Sequence, residues 1–290
     1  MIKKSNILNL LILNSLLLLA GCNSEEEENL TPLASLRFVT DVRSGEENPL
    51  LKRVNALLRF LGQENEEAIA TEILIDNNGQ GNIEYLTEGR WHISYWDTPS
   101  GGQLYFDKSD KSIMVPQTDK YVREPPSFYA GVSVFNYIPN EPIRLKLKPQ
   151  TGVLTIVLIF DDAANLPGSI SGVLSGIVSK RVFGEVGMNI SEQGIGYVPY
   201  IFTPSSYSPS TYVASRRLLG ISNTQKCELV FSNDNISSSP IKIDLTTRLE
   251  AFNNLTSYNT LCTIRISNDT KLETTIEVID WEERNYELDI

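Results

Sequence analysis

Apolar and polar residues alternate in short runs along most of this chain, and turn residues separate the runs. Residues 36–42 and 143–147 have the alternation of a strand with one buried and one exposed face. Residues 153–160 are apolar throughout, which is typical of a central strand. Helix-like segments are scarce, so the pattern predicts an all-β protein. Similar runs recur at 54–60, 69–75, 83–86, 91–96, 215–221, 228–232, 241–245, 263–267 and 274–281.

The number of short strands predicts two tandem β-sandwich domains rather than an α/β fold. Turn residues at 148–152 separate two of the predicted strands. We therefore place an N-terminal sandwich at 32–149 and a C-terminal sandwich at 150–290. The dipeptide Asn78-Gly79 follows another strand-like run and predicts a tight turn.

The N-terminal segment has the order of an export signal. Lys3 and Lys4 give a positive start, and residues 7–20 form an apolar run that is short for a membrane span. The signal peptide is therefore assigned to residues 1–21. The motif Leu19-Ala20-Gly21-Cys22 resembles the bacterial lipobox, in which the Cys22 thiol carries lipid. Several acyl chains, palmitate among them, would hold the protein on a membrane without a spanning segment. The alternative is an ordinary signal peptide followed by a chance cysteine.

Residues 22–31 form an acidic tether that cannot pack into a core. One interpretation is a flexible spacer. The other rests on Ser24 and the acidic residues Glu25, Glu26 and Glu27. This run resembles the signal that carries lipoproteins to the outer face of the outer membrane in bacteria with type V pili. With that signal, the protein would be lipid-anchored in the cell outer membrane and exposed at the surface.

Charge and residue types argue against several functions. The formal net charge of -11 does not favour nucleic acid, whose phosphates are bound by Lys and Arg. His92 is the only histidine, so no partner set of His or Cys exists for a metal site, and Ser-His-Asp catalysis would have to run through His92. The sequence has no Gly-x-Ser-x-Gly elbow and no glycine-rich phosphate loop. We therefore expect a protein that is not an enzyme, with no catalytic residue, metal or cofactor.

Two cysteines besides Cys22 open strand-like runs. Cys227 precedes an apolar run, and Cys262 precedes another. In an oxidising compartment they could form one disulfide across neighbouring strands. The alternative is a pair of buried thiols that act as small apolar side chains.

Several short motifs occur in an order that resembles the anchor or minor subunits of type V pili, which are fimbrillin-like lipoproteins. The first motif, Leu86 to Trp96, looks like the Leu-Pro-x-Gly-x-Tyr strand entry of transthyretin-like sandwiches, but has Thr87 and Trp91 in place of Pro and Tyr. The resemblance implies two tandem Greek-key sandwiches of the transthyretin type and covers nearly all of the mature chain. The other motifs lie at 126–131, 143–147, 151–152, 174–176 and 276–281.

The resemblance implies that the partners are fimbrial subunits joined by β-strand addition. An anchor keeps its N-terminus, so we expect residues 36–42 to stay in their own sheet. The candidate donor strand is then at the C-terminus, where Tyr286, Leu288 and Ile290 alternate with acidic residues. The alternative is a frayed tail, because terminal residues are often loosely held.

A surface glycan-binding protein or adhesin is the alternative function. Residues 197–212 look like a loop rich in Tyr, Ser and Pro. Exposed tyrosines on such a loop could bind a glycan or form an adhesive surface. The competing interpretation is a strand connection whose tyrosines pack back on the sandwich.

Overall fold

The structure is a computed structural model that describes residues 33–41, 51–62, 67–84, 86–99, 104–161, 166–233, 237–254, 259–268 and 274–284. The signal peptide, the tether with Cys22, Ser24, Glu25, Glu26 and Glu27, and the candidate donor residues Tyr286, Leu288 and Ile290 lie outside the described residues.

The described chain is almost entirely β, as predicted. One short helix, α1 (Thr246–Leu249), and a 3-10 turn (Glu250–Asn254) interrupt the strands. The strands are β1 Ala34–Thr40, β2 Arg53–Phe60, β3 Ile69–Leu74, β4 Gln80–Ile83, β5 Gly89–Asp97, β6 Tyr105–Asp107, β7 Ser112–Met114, β8 Gln117–Thr118, β9 Tyr121–Val122, β10 Tyr129–Tyr137, β11 Ile143–Pro149, β12 Gly152–Phe160, β13 Ile170–Val178, β14 Lys180–Phe183, β15 Met188–Ile190, β16 Ile195–Ser205, β17 Ser208–Leu218, β18 Glu228–Asn233, β19 Ser237–Asp244, β20 Asn259–Asn268 and β21 Thr274–Arg284.

The first sheet has seven strands in the order β3-β2-β5-β10-β11-β1-β4. Strand β1 lies between β11, which is parallel to it, and β4, which is antiparallel. Leu36 and Phe38 are buried while Arg37 and Val39 are exposed, so the predicted alternation is confirmed through Thr40, and residue 42 lies outside the described residues. The alternation predicted for 143–147 is confirmed in β11 in the same way.

The second sheet has ten strands, and its main path runs β19-β18-β13-β16-β17-β12-β20-β21. Strand β12 pairs with β17 on one side and with β20 on the other, which confirms the predicted central strand. Strand β16 pairs with β13 through most of its length and with β17 at its end. The small hairpin β8-β9 joins this sheet through β16. A further four-stranded sheet has the order β15-β14-β7-β6.

Two hydrophobic clusters form the interior. One is built on the first sheet and includes Leu36, Tyr95 and Leu145. The other is built on the second sheet, and it also takes Ile113 and Val122 from the segment between β5 and β10. That segment comes before the domain boundary predicted at 149/150, yet it contributes to the core of the second sheet. No single residue of the chain therefore separates the two cores. The passage from the first sheet to the second is nevertheless short, between the end of β11 and the start of β12.

The predicted turn at Asn78-Gly79 is confirmed. Gly79 has φ of 76°, a backbone conformation that residues with a Cβ rarely adopt. The Asp76 carboxylate accepts hydrogen bonds from the backbone N–H groups of Asn78 and Gln80, at 2.9 and 2.7 Å. Hydrogen bonds of this kind, the one from Gln80 above all, lower the pKa of Asp76.

Candidate functional site

Strand β21 is the outer edge of the second sheet. It pairs antiparallel with β20 from Asn259↔Arg284 to Asn268↔Thr274. Among the described strands, none pairs with its other side. The backbone donors and acceptors on that side form a row that another strand can use. The chain continues from Arg284 directly into the candidate donor residues.

The other edge of the second sheet is built differently. Strand β19 pairs with β18 and contains Pro240, which has no backbone N–H to donate. Prolines on edge strands hinder the pairing of a further chain. Strand β21 has no proline along its eleven residues. Of the two ends of this path, β21 is therefore the one suited to strand addition.

The first sheet ends in β3 and β4, each paired on one side among the described strands. Its terminal strands β3 and β4 are connected by the tight turn at Gly79, where Asp76 N–H donates to the Gln80 carbonyl at 2.8 Å. The prediction that the N-terminal strand keeps its place in its own sheet is confirmed for β1, which is paired on both sides.

Cys227 and Cys262 are free, buried thiols, so of the two alternatives the pair of small apolar side chains holds in this structure. They do not lie on neighbouring strands. Cys262 is on β20, whereas Cys227 precedes β18, and the sheet order separates these strands. Burial raises the pKa of both thiols well above its usual value, which keeps them protonated and unreactive.

His92 lies on β5, half-buried, opposite Arg59 on β2 and Val134 on β10. Burial and the nearby charges of Arg59 and Lys111 lower its pKa, which favours a neutral structural histidine. Within the described ranges, no group of three His, Cys, Asp or Glu residues is placed to hold a metal ion. In that same part of the chain, none of the helices is long and apolar enough to cross a membrane.

The prediction of a loop at 197–212 is wrong, because this segment forms the β16-β17 hairpin. Tyr200, Phe202 and Tyr212 are buried, so these aromatic rings pack back on the sandwich. Tyr200 stacks on Phe202 with ring centroids 5.7 Å apart, and the Tyr212 hydroxyl donates to the Pro167 carbonyl. Tyr200 and Tyr212 are therefore core residues, whereas Tyr197 and Tyr207 are exposed.

The prolines of this segment contribute to its loop-like sequence, yet Pro199 is compatible with a strand. Tyr197 N–H donates to Lys120 in the β8-β9 hairpin rather than to β13. Alternate residues of a strand point their backbone groups the same way, so the nitrogen of Pro199 also faces away from β13. A proline at such a position removes no hydrogen bond of the sheet.

Two tyrosines remain exposed beside each other. Tyr121 on β9 and Tyr197 on β16 are 46% and 40% exposed, and their ring centroids are 6.4 Å apart with planes tilted by 55°. They lie next to a shallow groove of about 560 Å³, which we call the aromatic groove. Sequence reasoning missed Tyr121, because its pairing with Tyr197 is formed only in the folded chain. The lining residues are Thr118, Tyr121, Val122, Arg123, Glu124, Val198, Pro199 and Arg216.

Asp97, at the end of β5, is a buried carboxyl group. It accepts a hydrogen bond from the Tyr129 backbone N–H at 2.7 Å, at the start of β10. Burial raises its pKa to about 7, because the hydrogen bond only partly offsets the loss of water. Asp97 also lines a cavity of about 460 Å³ with the stacked rings of Trp96 and Phe106.

No family model matches this chain, and no curated protein sequence matches it. Several solved structures share its fold. A candidate adhesin from Bacteroides ovatus has TM-score 0.63 and 12% identity, covering 87% of this chain and 95% of that one. The fimbrial anchor protein Mfa2 from Porphyromonas gingivalis has TM-score 0.58 and 12% identity over 84% and 94%. A candidate polysaccharide-binding protein from Bacteroides thetaiotaomicron has TM-score 0.58 and 10% identity over 87% and 100%. At these identities the chain shares with them the β-sandwich fold, along nearly the whole length of each.

Proposed function

We propose that this chain is a lipid-anchored cell-surface protein that serves as an anchor or assembly subunit of a type V fimbria and carries out no catalysis. It joins neighbouring subunits by β-strand addition. The observation that carries the proposal is the outer side of β21, with which no other described strand pairs; this strand runs directly into the alternating C-terminal residues. Similarity of fold to a protein named as a fimbrial anchor supports it.

Strand addition has two components in this chain. The open side of β21 supplies main-chain donors and acceptors for an incoming strand. The residues after Arg284 supply a strand of their own, in which Tyr286, Leu288 and Ile290 are spaced to enter successive pockets of a partner. Both components lie at one end of the chain, so one contact with a neighbouring subunit would use them together.

The position of β1 favours the anchor role over a stalk role. Strand β1 fills its place between β11 and β4, and Leu36 is fully buried there. The first sheet therefore needs no strand from a neighbour. The lipid proposed on Cys22 lies only a short stretch of chain before β1, which would hold this sheet near the membrane and leave the C-terminal edge facing outwards.

The alternating C-terminus gives a matched test of the donor strand. The variant Tyr286→Ser, Leu288→Ser, Ile290→Ser removes the side chains expected to fill pockets. The variant Glu287→Ser, Asp289→Ser changes only the intervening residues. We expect the first to lose about tenfold or more of the fimbrial subunits recovered with the protein from crosslinked cells, since anchors in pockets dominate binding. The second should recover amounts close to the natural sequence.

Recovery is quantified by mass spectrometry after detergent extraction, with the amount of each variant on the cell surface measured in parallel. Equal recovery of fimbrial subunits by the triple-serine variant and the natural sequence would exclude the C-terminus as the donor. Loss with both variants would point to a contact that depends on the tail but does not read alternate side chains.

The lipid anchor is tested at Cys22. The variant Cys22→Ser removes the thiol and should abolish incorporation of labelled palmitate. The protein should then leave the membrane fraction, because anchoring depends on the acyl chains. The matched control is Cys227→Ser, since Cys227 is buried in the fold and should leave both labelling and membrane association unchanged. Undiminished labelling of Cys22→Ser would refute the lipobox assignment.

A further inference from the structure

We infer that the aromatic groove between β9 and β16 is a saccharide-binding site for a short run of pyranose rings. This inference goes beyond the proposed assembly role and does not depend on it. It rests on the exposure of Tyr121 and Tyr197, on the way the backbone fixes them, and on the polar groups around them.

Tyr121 lines the groove and Tyr197 lies beside it, with ring centroids 6.4 Å apart, so the pair offers the aromatic surface that a sugar ring needs. The C–H groups on one face of a pyranose pack against an aromatic face, while the phenol hydroxyl remains available for hydrogen bonding. The planes of Tyr121 and Tyr197 differ by 55°, so the pair forms an angled surface rather than a flat one. A groove of about 560 Å³ falls within the usual range for small ligands, roughly 300–1,000 Å³.

The turn that precedes Tyr121 has an unfavourable backbone conformation. The turn between β8 and β9 has φ of 51° at Asp119 and 68° at Lys120, and neither residue is glycine. Turns of this kind normally use Asn, Asp or Gly, so Lys120 is the unusual residue, and strain of this kind often accompanies function. The Lys120 carbonyl accepts the Tyr197 N–H at 2.8 Å. Gly196 permits this approach, since a Cβ there would lie 2.0 Å from the Lys120 oxygen.

The polar groups of the groove are fixed before any ligand arrives. Arg216 Nε donates to the Pro199 carbonyl at 3.1 Å, and its Nη1 lies 3.9 Å from the Glu124 carboxylate. Glu124 also accepts the Arg217 backbone N–H at 3.0 Å. The Glu124 carboxylate can therefore meet sugar hydroxyl groups without first being ordered. Thr118 lines the same groove and adds a hydroxyl group.

These same contacts disfavour an extended peptide as the occupant. A peptide strand would need main-chain partners along β16 beside the groove. Pro199 has no N–H, and its carbonyl already accepts Arg216. The Tyr197 N–H already donates to Lys120. A ligand that bonds to side chains through hydroxyl groups fits this edge better than one that needs the backbone.

The test measures binding of a panel of cello-, malto-, chito-, manno- and xylo-hexasaccharides by calorimetry, up to millimolar concentrations. We expect at least one to bind, and Tyr121→Ala and Tyr197→Ala each to weaken it about tenfold, as for loss of one well-packed aromatic contact. Tyr121→Phe and Tyr197→Phe keep the ring and should retain most of the affinity. The matched control is Tyr207→Ala, because Tyr207 is 86% exposed but lies away from the groove in the β16-β17 turn.

The melting temperature of every variant is recorded, so a loss of binding counts only for variants that stay folded. The inference is overturned if no hexasaccharide binds, or if binding survives both alanine variants. Binding of decaproline at the same tyrosines, with no binding of sugar, would also overturn it and identify a proline-rich peptide as the occupant.

Discussion

Replacing Asp97 by Asn is expected to make the protein more stable at pH 8 and to remove a pH dependence on the order of 4 kcal/mol between about pH 4 and 7. The Asp97 carboxyl is buried beside β10, and burial raises its pKa to about 7 from the usual 3.8. Asparagine is neutral at every pH and keeps an oxygen that can accept the Tyr129 N–H.

The direction in which the free energy of unfolding changes with pH follows from proton binding. Between about pH 4 and 7 the folded protein holds a proton on Asp97 that the unfolded chain has released. The free energy of unfolding therefore falls as the pH rises through this window, and it levels off above about pH 7. Between about pH 4 and 7 the natural protein should therefore lose stability relative to Asp97→Asn. Other titrating groups, such as His92, contribute equally to both proteins, so the difference between them reports on Asp97.

The measurement is urea unfolding of both proteins at about pH 5, 6, 7 and 8, a range chosen around the pKa of Asp97. The control is Asp244→Asn, since hydrogen bonds from Thr246 lower the pKa of Asp244 and place its titration below this range. Its pH profile should run parallel to that of the natural protein. A natural protein whose stability is flat from pH 5 to 8 would contradict the buried, neutral state of Asp97.

Replacing Gly196 by Ala is expected to separate the β8-β9 hairpin from β16. The added Cβ would lie 2.0 Å from the Lys120 carbonyl oxygen, a backbone atom that can give way only if the hairpin moves. Overpacking of this kind costs about 1–3 kcal/mol. For a domain of this size each kcal/mol lowers Tm by about 2–4 °C. Because the hairpin carries Tyr121, saccharide binding should be lost along with the stability.

The matched control is Gly168→Ala. Gly168 is exposed, and a Cβ at this position would meet no atom within 4 Å. This variant should keep both the melting temperature and binding of the hexasaccharide. Calorimetry and thermal unfolding of the two variants give the comparison. A Gly196→Ala protein with unchanged Tm and unchanged binding would show that the Tyr197–Lys120 contact does not hold the groove together.

Many single strands could be predicted from the sequence. Burial on one face of a strand repeats every second residue, so the pattern at 36–42 and 143–147 was enough to predict β1 and β11. The unbroken apolar run in β12 predicted a strand paired on both sides. Asn78-Gly79 predicted its turn because the dipeptide itself favours positive φ.

Prediction failed where a residue's effect depends on its neighbours in space. Residues 197–212 look like a loop because they are rich in Tyr, Ser and Pro, yet Pro199 lies where β16 needs no N–H toward β13. The sequence left open whether Cys227 and Cys262 form a disulfide or stay as buried thiols, and the structure, whose sheet order separates their strands, has two free thiols. Neither outcome is visible in the local sequence.

The sequence by itself determined the all-β class, the positions of most strands and the residues proposed to carry lipid and donate a strand. Those features follow from local chemistry, namely side-chain alternation, turn residues and short motifs. The tertiary structure alone decided that β21 is an edge among the described strands, that Tyr200 and Tyr212 are core, and that Tyr121 meets Tyr197. These outcomes depend on which distant strands pair, because an edge or a groove is a relation between segments and is not encoded in either one.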